Sequence, residues 1–300
     1  MTAAIPHLDV CICTYRRPRE LHRLLQSLAR QEVAGRFSFS VVVADNDAAI
    51  AARPVVAAFK ENAPFALHYV WEPRRNIALA RNAALTCAHG DAVVFIDDDE
   101  TPAPDWLHQL VQAWRAHGVA GVLGPVLPRF DTPPPDWVIK GGFYTRPNPP
   151  TGTILTSRQC RTGNALIERR LLLDGQPAFR EEFGTGGEDQ DFFARMIAAG
   201  HRFVWCRTAI VHEHIPPSRW QRRFLLRRAL LRGRDSLRPA DGRASALARA
   251  VVAVPLYALA LPWLSLGGQH LFMTYAVKLC DHVGRLLALA RLNPVNERPM

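Results

Sequence analysis

The stretch AVVFIDDDE, residues 92–100, decides how the chain is read. Ala92 to Ile96 is a run of apolar, β-branched and aromatic residues, the composition of a buried strand. Asp97, Asp98 and Asp99 follow at its C-terminal tip. Three adjacent carboxylates cannot all be buried unpaired, because desolvation costs several kcal/mol per ion. A cation would relieve their mutual repulsion. Strand tips are also where open α/β sheets place ligands. Two readings follow from the string: a solvated acidic turn, or a divalent-metal site that holds a phosphorylated ligand.

Similar strings flank this one. Leu8 to Cys13 reads as a first strand ending at Thr14-Tyr15-Arg16-Arg17, and Pro18, Leu21, Leu24, Leu25 and Leu28 open and line a helix. A second strand, Phe37 to Ala44, ends at Asp45, and a helix through Val55 and Phe59 follows. A third strand, Ala66 to Trp71, leads into a helix over Asn76 to Ala88 that carries Arg81. Pro104 to Trp114 is a further helix. Alternation of strands and helices with short connections predicts an α/β domain with a mainly parallel central sheet. Neither GxxxxGK[ST] nor GxGxxG follows a strand, so bound phosphates need another partner, and a metal on the aspartates would supply it.

Further along, Pro125 to Cys160 holds eight prolines and several aromatics, and Phe130, Trp137, Phe143 and Tyr144 suggest an ordered flap over a ligand. The alternative is a surface connection packed by its own aromatics. Gly186-Gly187-Glu188-Asp189-Gln190-Asp191 opens a helix, where carboxylates are favoured by the helix dipole. His212-Glu213-His214 follows a strand-like run from Phe203 to Val211. Histidines at i, i+2 on an extended chain face one side, and imidazole is a common metal ligand.

The chain has 300 residues, 48% of them hydrophobic, and a formal charge of +10. Nine arginines against two aspartates lie between residues 219 and 243, a block that suits a polyanion. No formally charged residue occurs from Ala250 to Val277. That run exceeds the ~20 residues a spanning helix needs. Pro255, Pro262 and Gly267-Gly268 argue against one continuous helix. Leu271 to Leu292 reads as an amphipathic interfacial helix. Arginines before an apolar stretch point to anionic membrane lipids rather than nucleic acid. The expected division is 1–218 for the catalytic domain and 219–300 for a basic, apolar helical region. No charged, then apolar leader opens the sequence, so the catalytic part is expected in the cytoplasm. Six scattered cysteines show no zinc spacing and read as reduced thiols.

Taken in order, DVCICTYRRP (9–18), VVVADNDA (41–48), NIALARNAAL (76–85), VVFIDDDETPAPDWL (93–107), RTGNALI (161–167), GGEDQDFF (186–193) and VHEHIPPSR (211–219) resemble the family 2 glycosyltransferases of GT-A fold. Within that family the set resembles the β-glucosyltransferase group of succinoglycan and other exopolysaccharide synthesis. The resemblance implies a nucleotide-sugar-binding domain, with Thr14 and Tyr15 cradling the nucleotide and Asp45 recognising uracil. It places Asn76 and Arg81 beside the nucleotide diphosphate. It makes Asp97 and Asp99 metal ligands, with Asp98 and Asp97 also near the donor, and adds His212 to the metal shell. His214 departs from the pattern. Asp189 becomes the general base of an inverting reaction. The implied cofactors are Mn²⁺ or Mg²⁺ and a sugar nucleotide, UDP-glucose foremost. The implied acceptor is a polyprenyl-diphosphate-linked saccharide at the cytoplasmic face of the inner membrane. The alternatives are a nucleotidyltransferase on a similar scaffold, for which Arg16-Arg17 would be the phosphate-loop echo, or a non-enzymatic basic membrane- or nucleic-acid-binding protein.

Overall fold

The computed structural model describes residues 5–173, 175–184, 186–236, 243–290 and 292, apart from the side chains of Asp235 and Arg243. Arg238 and Asp241 of the basic block, Arg291 of the stretch Leu271 to Leu292, and the first four residues lie outside the described residues. The order is β1 (His7–Thr14), α1 (Pro18–Leu28), β2 (Ser38–Asp45), α2 (Arg53–Lys60), β3 (Ala66–Trp71), α3 (Ile77–Thr86), β4 (Ala92–Asp97), β5 (Glu100–Pro102), α4 (Trp106–His117), β6 (Gly121–Leu123), β7 (Val126–Phe130) and α5 (Asp136–Lys140). Then come β8 (Asn164–Glu168), α6 (Glu188–Ala198), β9 (Phe203–Trp205), β10 (Val211–Ile215), α7 (Arg222–Asp235), α8 (Arg243–Leu266) and α9 (Gln269–Leu289). These fall into two compact units, residues 1–127 with 146–214, and residues 128–145 with 215–300.

The first unit is built on a seven-stranded sheet in the order β3-β2-β1-β4-β8-β6-β9. The first four strands are parallel, as expected, but β8 runs antiparallel to both β4 and β6, so the sheet is mixed. Its central strands β1, β2 and β4 are largely apolar because both faces are covered, whereas edge strand β3 is exposed or half-buried at all but Leu67. Val10, Ile12, Val41, Val43, Val94 and Ile96 face one core with the leucines of α1. Cys11, Val42, Ala44, Val93 and Phe95 face the other, with α3 and the phenylalanines of α6. Register then sets the working edge. Thr14 lies opposite Asp45, and Cys13 opposite Asp97, so three strand tips end together. Ile96 lies opposite Asn164, which brings Gly163 beside Asp97.

Two local expectations are corrected. The run from Phe203 to Val211 is two strands parted by a turn, and His212-Glu213-His214 lies inside β10 rather than after a strand. The apolar stretch stays helical through Pro255 and Pro262 and stops only at Gly267-Gly268, where Gly268 has φ +105°. Each proline deletes one intrahelical hydrogen bond, at about 3 kcal/mol, and a helix of 24 residues retains the rest.

In the second unit, Val138, Tyr144, Ile215, Trp220, Leu225 and Met273 form a core with Phe130, Trp137 and Phe143 around it. The Tyr144 hydroxyl donates to the carbonyl of Arg219 at 2.6 Å. The aromatics of 128–145 are therefore packing groups of their own unit, as in the second of the two readings above, and do not present themselves as a flap. Helix α9 packs against both α7 and α8. All six cysteines are free thiols.

Candidate active site

The first site segment is the turn after β1. Arg16 adopts φ +56°, a left-handed conformation that a non-glycine residue enters at a cost. Pro18 then starts α1 and leaves Arg17 as its cap. From there one nitrogen of Arg17, Nη1, donates to Asp98 Oδ1 at 2.8 Å and to Asp99 Oδ2 at 3.1 Å. The Thr14 hydroxyl donates to the other oxygen of Asp98 at 2.8 Å. The triplet is thus divided. Asp98 is buried and doubly held, Asp99 is tied to Arg17, and Asp97 remains 52% exposed.

Asp97 has charged company. Arg81 Nη2 stands 3.8 Å from its Oδ1. Glu100 turns back so that its Oε2 accepts the Asp97 amide at 3.0 Å. A methyl group on Gly163 would meet both carboxyls at 3.2 Å, so glycine there allows the close approach. Burial, opposed by Arg81 and reinforced by Asp99, Asp98 and Glu213, pushes the Asp97 pKa up to about 7. Burial, against the pull of Arg17, takes Asp98 up to about 6. Glu100 is raised by burial and then by Asp97. Exposure on one side and poor hydration on the others are compatible for a carboxyl at the foot of a cluster. Such a group gains most from a ligand cation.

On the far side of Arg81 lies α6. Its cap, Gly187, has φ +94°, which tightens the turn and places three acids in the first helical turn. Their fates differ. Glu188 is buried against Arg81 Nη1. Asp191 pairs with Arg195 at 2.9 Å and Arg180 at 3.4 Å. Asp189 is partly exposed, and its Oδ1 accepts the Gln190 amide at 2.7 Å. Its charge acts on both Arg81 and Glu188. Asp97, Arg81, Glu188 and Asp189 therefore form a continuous electrostatic chain along the sheet edge. The Cys13 thiol beneath it is pushed up to about 12 by burial, which removes it as a nucleophile at neutral pH.

Other expected residues serve their own loops here. Asp45 is buried and accepts from the Asp47 amide (3.1 Å), the Ala52 amide (3.0 Å) and the Tyr69 hydroxyl (3.0 Å). Asn76 caps α3, accepting from the amides of Ala78 and Leu79 and donating to the carbonyl of Glu181. The Tyr15 ring lies under the guanidiniums of Arg75 and Arg16, at 4.9 and 5.1 Å from its centroid. In the antiparallel β5–β10 pair, His212 lies opposite Thr101, and Glu213 opposite Glu100. Strand alternation therefore puts His212 and His214 on one face, with Thr101. His214 meets Arg23 at 3.0 Å and Thr101 at 3.4 Å, which occupies both ring nitrogens. Glu213 takes the other face, pairs with Arg146 at 2.6 Å, and acts electrostatically on Asp97.

Among the described residues, no three His, Cys, Asp or Glu side chains converge as a preformed metal cage. The donor set still fits a cation of another kind. Mg²⁺ is commonly held by one or two carboxylates with substrate phosphates completing the shell. Asp97, reachable and poorly hydrated, and Asp99 beside it supply that pair.

Sequence reading named Arg17 only as a phosphate-loop echo and Glu213 only between two histidines, and gave no site role to Glu100, Arg146 or the inward-facing Glu188. The doubled arginine just past a strand tip was the available signal for Arg17. Nothing local marks Arg146.

Residues 9–172 match the family described as glycosyl transferase family 2. The chain belongs to that family. This glycosyltransferase is 40% identical over 229 residues to the succinoglycan biosynthesis protein ExoM of Rhizobium meliloti (strain 1021), covering 76% of this chain and 73% of that relative. Its fold is similar to that of mannosyltransferase PcManGT from Pyrobaculum calidifontis, solved with GDP-Man and Mn²⁺. The TM-score is 0.67 at 22% identity, over 97% of this chain and 89% of that one. S. aureus TarS 1-349 is also similar, with a TM-score of 0.54 at 22% identity, over 73% of this chain and 63% of that chain. This chain thus spans a little under two thirds of the TarS fragment. At such identities the two structures speak for the GT-A-like fold alone. Family membership makes the protein an enzyme and sets aside the nucleotidyltransferase and scaffold readings.

Proposed function

We propose that this glycosyltransferase moves a hexose, glucose foremost, from a UDP-sugar to a lipid-linked saccharide during exopolysaccharide synthesis, with inversion at the anomeric carbon. The observation that carries the mechanism is the division of the acids. Asp97 opens at the strand tip, and Asp189 stands partly exposed on the first turn of α6, in the field of Arg81 but in no ion pair within 4.0 Å among the described residues. The 40% identity to a succinoglycan biosynthesis protein supports the pathway class.

The acceptor oxygen attacks the anomeric carbon while the bond to the diphosphate oxygen breaks, and the electron pair leaves with the nucleotide. The acceptor hydroxyl proton passes to the Asp189 carboxylate. A carboxylate placed within reach of that hydroxyl takes the proton as a general base. Glu188, clamped by Arg81, orients the turn that carries Asp189. Arg81 also faces Asp97 and so brings positive charge to the leaving-group side. Asp97 and Asp99 are the residues that would hold Mg²⁺ or Mn²⁺, and the bound ion would neutralise charge developing on the diphosphate. We assign Thr14, Tyr15, Asp45, Asn76 and Asp98 to the nucleotide side and His212 to the outer metal shell, as the family pattern implies. The apolar α8 supports attachment at the cytoplasmic face of the inner membrane.

The test is a screen of sugar nucleotides with Mn²⁺ and Mg²⁺ on the wild type and on Asp189→Asn. UDP release is expected with UDP-glucose and an extracted lipid-linked acceptor. The variant should bind UDP normally and lose transfer by about 10²–10⁴-fold, the usual worth of a general base. Near-wild-type turnover in the variant would remove Asp189 from this role.

A further inference from the structure

Arg17 has no place in the reaction just described, yet it makes the strongest contacts to the aspartate triplet. A single nitrogen serves Asp98 at 2.8 Å and Asp99 at 3.1 Å. The two carboxyls are only 6% and 12% exposed, whereas the arginine side chain is 28% exposed and can still be reached from solvent. Thr14 holds the second oxygen of Asp98, so Asp98 keeps a partner if the arginine moves. Asp99 is the carboxylate on which a cation and Arg17 make competing demands, since a guanidinium and a divalent ion repel each other on one carboxylate.

We propose that Arg17 is a built-in counter-cation for Asp98 and Asp99, and that a divalent ion gains Asp99 only when a nucleoside diphosphate draws the guanidinium away. Arg17 is then a positioning residue that makes metal binding depend on the nucleotide. The diphosphate is the natural rival for the arginine, because a planar guanidinium matches phosphate oxygens in pairs. The cation and nucleotide bind as a coupled pair, and by linkage each strengthens the other by one common factor. This rests on reading Asp99 as a cation ligand.

Mn²⁺ binding to the full chain, followed by the loss of the free-ion electron paramagnetic resonance signal, tests the idea without any turnover. Wild type should bind Mn²⁺ at least about tenfold more tightly with UDP than without, within the usual range of coupling between sites. The double variant Arg17→Gln/Asp98→Asn removes both charges of the buried pair and so spares the fold. It should bind Mn²⁺ without UDP about tenfold more tightly than wild type, and the gain from UDP should shrink by about that factor, leaving what the phosphates contribute as ligands. Arg17→Gln alone, with Thr14 still holding Asp98, should shift the same way. Folded variants with wild-type Mn²⁺ affinity in the absence of UDP would overturn the proposal. Absence of Mn²⁺ binding by wild type with UDP would instead remove Asp99 as a ligand, and this inference with it.

Discussion

Asp97 and Asp98 are neighbours in sequence, one open on one side and one enclosed, and burial raises the proton affinity of both. Asp97 titrates near 7 against an ordinary 3.8, raised first by burial. Between those values the folded chain holds more protons than the unfolded chain, so stability is lost as pH rises through the window. Replacing Asp97 by Asn removes this contribution. In chelator, Asp97→Asn should melt above wild type at both pH 5 and pH 8, by the larger margin at pH 8, where the whole window has been crossed. A melting difference that stays constant over that range would show that Asp97 is not poorly hydrated. Saturating Mg²⁺ with UDP should reverse the order at pH 8, because wild type alone retains the carboxylate for the ion.

Helix α3 is fastened to α6 by one buried ion pair, Arg81 with Glu188, and the second Glu188 oxygen has no hydrogen-bond partner among the described residues. Breaking such a pair from one side leaves a buried charge uncompensated. Arg81→Met should therefore cost about 3–5 kcal/mol in urea unfolding, and Arg81→Met/Glu188→Leu much less. Equal losses in the two would mean that the pair is solvated. None of this was legible from the strings, since 107 residues separate the partners. Strands β1, β2 and β4 were legible because burial on both faces gives each a mostly apolar run. Asn164–Glu168 was seen as a motif and not as a strand, because five residues without alternation carry no period. Its insertion is what turns a parallel sheet into a mixed one and lays Gly163 on Asp97. The acids at the strand tips were readable one by one. Their division into held, tied and open was not, because Arg17 reaches Asp98 and Asp99 only through the fold.

For the molecule as a whole, the open question is what covers α8. Val252, Leu256, Leu259, Trp263 and Leu266 recur at spacings of a helical stripe and are 59–81% exposed. The opposite side packs on α9, with Tyr257 against Tyr275 at 5.6 Å. A lipid surface suits a stripe of this length, since 24 residues extend ~36 Å. The wild type should stay with membranes after alkaline carbonate, and Leu259→Glu/Trp263→Glu should move most of it to the supernatant. Retention of that variant in the pellet would assign attachment to another element. Arg232 of the basic block is committed to Asp281 of α9. The core around Val138 and Tyr144 has a consequence in time. Ile215, Trp220, Leu225 and Met273 complete it, and all are made later. During synthesis, the chain between residues 128 and 145 must wait, apolar and uncovered, for about 130 further residues, or roughly 7–26 s at ordinary elongation rates. The sheet of the first unit needs nothing beyond residue 214. A truncation meant to shed the apolar tail by cutting after that residue would leave this early segment permanently without its partners, and would exchange an enzyme with an apolar tail for a sticky one.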